Sequence, residues 1–509
     1  MKANKFKMNK IIYFVFILSA LFSCTELEEE VFSQLSPDNF YNTPEDADTA
    51  IISIYNSMNR ANNLWDRGMA SLVFMPAPHT LARVPWRRYW ADYTVTSSDQ
   101  KSLPKVWNST YQAILRANIA ISELDAQSFD DPDDDAIRTE LIGEAKWLRA
   151  FNYFNLVRLF GEVPMPIEAT TTIDGAKLPR TPIAKIYEQI IADLQYAEAN
   201  LPDGIRDATK AGRPIVGTAK FLLGKVYLTM TGLPLNDDSK ISMAHAILKE
   251  VIKDKGKWGF ELLPSYEDAI RIDNNAERIF AIQQSRDIED QGTTMAFVWG
   301  GRFWPYGKAD SGGQFHGGFS KDFYDSYEST DVRRDVTMAF SYPDVRNGNI
   351  LTYGQNPYNT QYGIAQNKYH DALQGSSNGA PDIVIYRFSD ALLMYAEAEN
   401  EVNGPSATAY QYINEVRARG GASTYDSSGG LSQDEFRELI YKERFWELSF
   451  EFHEVYDIRR FGKVAEAIAA NPEAQKVETV YESKFDLWPI PLAELQTNPQ
   501  LKGENNPGW

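Results

Sequence analysis

Residues 144–166 read EAKWLRAFNYFNLVRLFGEVPMP, and two apolar stripes run through them. Leu141, Ala145, Leu148 and Phe151 recur at steps of four and three, and Trp147, Ala150, Phe154 and Val157 form a second stripe beside them. One apolar stripe makes a surface helix; two adjacent stripes make a helix buried on more than one side. Asp133, Asp134 and Asp135 stand at its start, where the helix dipole favours negative charge. Gly161 is placed for a left-handed cap, and Pro164 and Pro166 stop the helix continuing. A helix of this kind needs partners on both sides, so the chain is mainly α.

The same period recurs on either side of this helix. Thr43-Pro44 supplies an N-cap and a first-turn proline, followed by the stripe Ala47, Ile51, Ile54 and Met58. Helices are predicted over Lys105–Leu124, Ile183–Leu201, Gly217–Met230 and Ile241–Ile252. Ile385–Asn403 and Pro405–Arg419 make a further pair across Gly404. Helices arriving in pairs with short connections predict a solenoid, here without a strict repeat. Two segments break the pattern. Asn62–Gln100 carries Trp65, Trp86, Tyr89, Trp90 and Tyr93 among prolines and arginines and reads as irregular loop. Phe260–Asp382 is dense in Gly and aromatics, including Trp299, Trp304 and Tyr306; it reads as a large insertion with a short strand at Arg278–Gln284 and a short helix in Phe319–Tyr327.

The N-terminus carries Lys2, Lys5, Lys7 and Lys10 and then an apolar run, Ile11–Phe22, of signal-peptide length. It ends in Leu21-Phe22-Ser23-Cys24, which looks like a bacterial lipobox, so Cys24 is the expected site of acylation after removal of 1–23. Multiple acyl chains suffice for stable anchoring. Cys24 is the single cysteine of 509 residues, which excludes disulfides and Cys-ligated zinc within the chain. Net charge is −19, and loss of the lysine-bearing leader makes the mature chain more acidic still. That disfavours nucleic acid and anionic membrane surfaces as partners.

Motifs for catalysis are weak. The five histidines, His79, His245, His316, His370 and His453, form no HExxH, and His453 reads as a hydrogen-bonded core histidine. Gly375-Ser376-Ser377-Asn378-Gly379 fits GxSxG but lacks the strand and helix a nucleophile elbow needs. Asp131, Asp133 and Asp135 resemble a calcium loop, but Ile142 stands where its bidentate Glu belongs. No cofactor and no metal are expected. Seventy acidic residues guarantee chance pairs, so a helical carbohydrate-active enzyme stays open as a minor alternative.

The wording of residues 144–166 closely resembles the central signature of the SusD/RagB family. YRFSDALLMYAEAENEVNG (386–404) with INEVRARGG (413–421) is similar to a second signature, and ERFWELSFEFHEVYDIRRFGK (443–463) to a third. In the third, the family usually shows Gly where Phe452 stands, Arg at Glu454 and Trp at Val455. Trp488-Pro489-Ile490-Pro491 and the terminal Asn506-Pro507-Gly508-Trp509 resemble the family's C-terminal pattern. The resemblance implies tetratricopeptide-like helix pairs in a right-handed superhelical scaffold with long irregular insertions. It divides the chain into a leader (1–23), an acylated Cys and linker (24–42) and one domain (43–509). Within that domain the scaffold spans 43–260 and 383–420, the insertions 62–104 and 260–382, and the C-terminal family region 421–509. It further implies an outer-membrane, surface-exposed, lipid-anchored protein that binds nutrient beside a SusC-like TonB-dependent transporter and is not an enzyme. The ligand is a glycan or, as RagB-like members imply, an oligopeptide.

Trp-rich loops favour the glycan, because sugars offer C–H faces that stack on aromatic rings and hydroxyls that pair with polar side chains. The expected platform is Trp65, Trp86, Arg88, Trp90, Trp299, Trp304 and Tyr306, with the two insertions meeting on one face. The helical aromatics Trp147, Phe151, Tyr153 and Trp446 are expected in the core. Arg83, Arg87, Arg88 and Arg302 lie near the platform, and guanidinium forks pair with carboxylates, which favours an acidic or mixed glycan.

Overall fold

The computed structural model describes residues 41–509 except 60–63, 128, 130, 289–290, 307–311, 356 and 372–378. The leader, Cys24, the linker up to residue 40 and most of the GxSxG segment lie outside the described residues.

Nine scaffold helices form a ladder: α1 (Pro44–Met58), α2 (Leu103–Ala126), α3 (Pro132–Phe160), α4 (Ile183–Asn200), α5 (Val216–Met230), α6 (Ile241–Lys253), α7 (Phe388–Asn403), α8 (Ala407–Gly420) and α9 (Gln433–Leu448). Each helix from α2 to α8 packs on the one before it, α1 also touches α3, and α7 packs on α9 as well as α8. The segment between α6 and α7 leaves this ladder and returns to it. Arg278–Ile282 pairs antiparallel with Ile383–Arg387 and closes the neck of the excursion.

Helix α3 is the one that residues 144–166 predict. Asp131 caps it by accepting from the Asp133 N–H at 2.9 Å, and from Leu141 to Phe160 every residue except Lys146 is buried. Its polar side chains tie it to its neighbours. Arg149 forms a two-pronged pair with Asp193 of α4 at 2.7 and 2.8 Å, and Glu144 accepts from Tyr55 of α1 at 2.6 Å. Gly161 ends the helix at φ +69° but ψ −123°, outside the left-handed helical region expected. A Cβ there would also lie 2.7 Å from Leu487, so glycine is required on both counts.

Two other expectations need correction. Asn62–Gln100 is not simply irregular: Leu64–Phe74 winds as a π-helix and Pro85–Ala91 as a short α-helix. The first escapes the 3.6-residue pattern because its wider turn buries all but Arg67, and in the second Pro85 starts the helix rather than breaking it. Ile385–Asn403 is not one helix. The β-branched run Ile383-Val384-Ile385 is buried on both faces as a strand, and α7 begins only at Phe388. Helix α9 ends at Leu448, and Phe450 and Phe452 follow it at positive φ (+66° and +64°). Positive φ is what glycine serves best, so the family's Gly at position 452 has a local backbone reason. Here the Phe452 ring is retained in the core, edge-on to Trp65 at 5.2 Å.

The excursion is held down by buried charge. Arg387 reaches Glu277, Glu447 and Glu451 at 2.6, 2.5 and 2.6 Å, and Arg333 reaches Asp331, Glu443 and Glu447 at 2.7, 2.5 and 3.0 Å. Lys368 pairs with Glu451 at 2.5 Å, and Arg419 pairs with Glu277 and Glu447. All these side chains are buried. Burial alone would push Glu447 up, but Arg419, Arg387 and Arg333 together hold its carboxyl well below the usual range. Arg333, Lys368 and Glu277 come from the excursion, whereas the glutamates at 443, 447 and 451 belong to α9 and the turn after it. The network therefore fastens loop to scaffold.

Candidate functional site

The two interrupting segments do meet. Thr80–Ala82 pairs antiparallel with Gly317–Phe319, and a Cβ at Gly317 would lie 2.3 Å from the Leu81 carbonyl, so glycine permits this approach. A cleft of about 400 Å³ opens at the Arg83/His316 end of this ribbon, lined by Arg67, Trp86, Gln100, Lys101, Lys105, Gln314 and His316.

Trp86 is its half-buried ring, and it is firmly backed. The Arg87 guanidinium lies 4.4 Å from the Trp86 ring and 4.1 Å from the Trp299 ring. Its N–H groups donate to His316 Nδ1 (3.3 Å), Ser71 Oγ (2.9 Å), the Arg67 carbonyl (3.2 Å) and the Asp66 carbonyl (3.0 Å). His316 packs edge-on against Trp86 at 5.4 Å. Burial first, then the charges of Arg87, Arg67 and Arg83, pushes the His316 imidazole down to about 2, so it is neutral. Because Nδ1 accepts from Arg87, the ring proton sits on Nε2 as a donor. Tyr89, 48% exposed, lies one turn along the same short helix and does not line the cleft.

The remaining members of the expected platform are placed elsewhere. Trp65, Trp90, Trp299 and Trp304 are at most 3% exposed and fill core. Trp65 packs on Phe151 and Phe452, and Trp90 packs edge-on against Trp488 at 5.1 Å. Trp299 packs on Phe74 and Phe450 and donates from Nε1 to the Asp66 carbonyl at 3.0 Å. Trp304 sits in a separate small cluster with Phe315 and Tyr342. A ring sealed in this way presents no face to a sugar. Tyr306, half-buried, stacks on His370 at 4.1 Å and does not line the cleft. Arg88 lies 3.5 Å from Glu473 and also stays outside it.

Of the expected core aromatics, Trp147, Phe151 and Tyr153 are fully buried but Trp446 is not. Trp446 lines a second cavity, of about 570 Å³, at the His79/Ser320 end of the ribbon, with Phe323, Tyr441 and Phe445. Its Nε1–H donates to Ser326 Oγ at 3.0 Å. The His79 ring there stacks on Phe323 at 4.1 Å, so much of this wall is satisfied by ring-on-ring packing. His453 is buried as expected, yet its Nε2 has no hydrogen-bond partner, and burial first lowers its pKa to about 3. Among the described residues no group of His, Cys, Asp and Glu could hold a metal ion, and no helix is long and apolar enough to cross a membrane.

Comparison with known proteins agrees with this architecture. Residues 276–509 match the model of the SusD family, and residues 27–228 match the model described as starch-binding associating with outer membrane. SusD-like protein P2 of Formosa agariphila is 29% identical over 98% of this chain and 99% of its own length. A SusD homolog from Bacteroides thetaiotaomicron superposes with a TM-score of 0.77 at 24% identity, covering 92% of this chain and 98% of that one. A laminarin binding SusD-like protein superposes with a TM-score of 0.73 at 25% identity, covering 92% of this chain and all of that one. The chain belongs to the SusD/RagB family, and its ladder of helices is the tetratricopeptide-like scaffold of that class. Membership places it among non-catalytic binding proteins associated with the outer membrane.

Proposed function

We propose that this protein is a cell-surface lipoprotein that captures an oligosaccharide or polysaccharide in the Trp86 cleft and passes it to a TonB-dependent transporter. Residues 43–509 act as one SusD-like domain in this reading. The observation that carries it is an accessible indole, fixed from behind by Arg87 and ringed by side-chain donors, in a cleft that two separate loop segments build together. Sugar recognition asks for that combination of a stacking face and hydrogen-bonding groups already held in place. The laminarin-binding structural neighbour supports a glycan over a peptide.

Affinity electrophoresis of the purified protein through gels cast with different polysaccharides tests the reading. At least one polysaccharide should retard the protein, with no shortening of that polysaccharide on long incubation. Retention by no glycan, together with binding of oligopeptides, would move the assignment to the RagB-like alternative. Anchoring has its own test. Cys24→Ala should move the protein from washed outer membranes to the soluble fraction in a strain lacking the neighbouring transporter. Continued membrane retention there would contradict the lipid anchor.

A further inference from the structure

We propose that the Trp86 cleft selects an anionic saccharide, whose sulfate ester or carboxylate groups are held by Arg67, Lys101 and Lys105. The inference rests on the reading of this cleft as the glycan site and adds the chemical class of its ligand.

The chain holds 70 acidic against 51 basic residues, yet the cleft lining contains three cations and no carboxylate. Many lysines and arginines elsewhere are closely paired, as in Lys185–Glu188, Lys220–Glu198 and Arg206–Glu140. Among the described residues, Arg67, Lys101 and Lys105 lie within ion-pair distance of no carboxylate, and Arg67 Nε is buried without a hydrogen-bond partner. Two acids adjoin them in sequence, and both are engaged. Asp66 is buried and accepts from Thr294, while Asp99 accepts from the Ser102 and Leu103 N–H groups at the start of α2.

The arginines that the sequence points to are not the ones available. Arg87 spends its N–H groups on the protein, Arg83 donates to the Gln314 carbonyl at 2.7 Å, and Arg88 lies beside Glu473. The open positive charge comes instead from the π-helix and from residues 101–105.

Donor balance points the same way. Lys101, Lys105, Arg67 and the neutral His316 at Nε2 can only donate, and the two glutamine amides are the side-chain acceptors of the cleft. A neutral sugar hydroxyl needs acceptors as well as donors, whereas a sulfate or carboxylate only accepts. Remote acids weigh little, because charges beyond the screening length of about 8 Å are largely hidden at physiological salt. The overall charge of −19 opposes indiscriminate adhesion of polyanions, so retention of one reports a local site.

The test uses the whole purified protein in gels of matched polysaccharides: dextran sulfate against dextran, and polygalacturonate against its carboxyl-reduced form. One anionic member should retard the protein at least about tenfold more strongly than its neutral parent, the scale of one charge-assisted hydrogen bond. Which member does so separates sulfate from carboxylate. Lys101→Gln and Lys105→Gln should each weaken that retention, the double change by more than about tenfold, and Trp86→Ala should weaken it as well. Lys101 is exposed and Lys105 half-exposed, so the melting temperature should stay put. Retention by a neutral parent equal to that by its anionic form, or retention of the polyanion that survives the lysine changes, overturns the charge selectivity and leaves the glycan reading standing. Retention of no polysaccharide, charged or neutral, overturns the glycan reading itself.

Discussion

Arg387→Ala is expected to destabilise the protein by about 3–5 kcal/mol, the usual cost of removing one partner from a buried ionic cluster. Arg387 is fully buried, donates to Glu277, Glu447 and Glu451, and also reaches Ser389 Oγ and the Glu447 carbonyl. Deleting it leaves three buried carboxylates to share Arg333, Arg419 and Lys368, and it removes the cation at the neck of the excursion. Arg387→Lys should recover only part of the loss, because an ammonium cannot reproduce the guanidinium's planar fork. Urea denaturation followed by circular dichroism measures both variants. A loss for Arg387→Ala within about 1 kcal/mol, the range of a surface pair, would mean that the cluster does not hold loop to scaffold.

Trp299→Ala should cost a comparable amount, about 3–5 kcal/mol, as truncations of buried aromatics do. The ring is 1% exposed, lies 5.6 Å from Phe74 and 5.2 Å from Phe450, and forms one face of the pocket that holds the Arg87 guanidinium. The sequence places this tryptophan on the ligand platform, where its loss would spare stability. The structure reverses that expectation, and any loss of affinity should follow from a loosened Arg87 rather than from a missing contact. Thermal melting beside a binding titration separates the two. An unchanged melting temperature with lost affinity would return Trp299 to the site.

How much could be read from the sequence depended on how far apart the informative residues lie. Helix α3, the Thr43-Pro44 cap and the strand at Arg278 are legible because each is written in neighbouring residues: a period, a cap, a short apolar run Ile279–Ile282. The union of the two loop segments is written in neither of them, since the pairing of Thr80–Ala82 with Gly317–Phe319 joins residues far apart in the chain. A tryptophan in a loop says that a large ring must be placed somewhere, not on which side of the loop it falls. Trp86 and Trp90 stand four residues apart on one short helix, yet Trp86 lines the cleft and Trp90 packs on Trp488. Gln314, His316, Lys101 and Lys105 were missed for the same reason, because no local pattern sets them apart from ordinary surface residues. Helical spacing alone points Trp446 to the core, and its place beside Phe323 at the second cavity depends on a loop distant in the chain. The buried charge cluster was invisible because its partners, such as Glu277 and Arg387, are separated by 110 residues.

Titration calorimetry of one retained oligosaccharide into wild-type protein and Trp86→Ala decides whether Trp86 is the stacking face of a glycan site. Trp86→Ala should lose about 2 kcal/mol in binding, roughly thirtyfold in affinity, as for an interface hot spot, with the melting temperature within about a degree of wild type. Equal affinity in the two proteins would contradict it, and so would a loss of several degrees in melting temperature with binding intact.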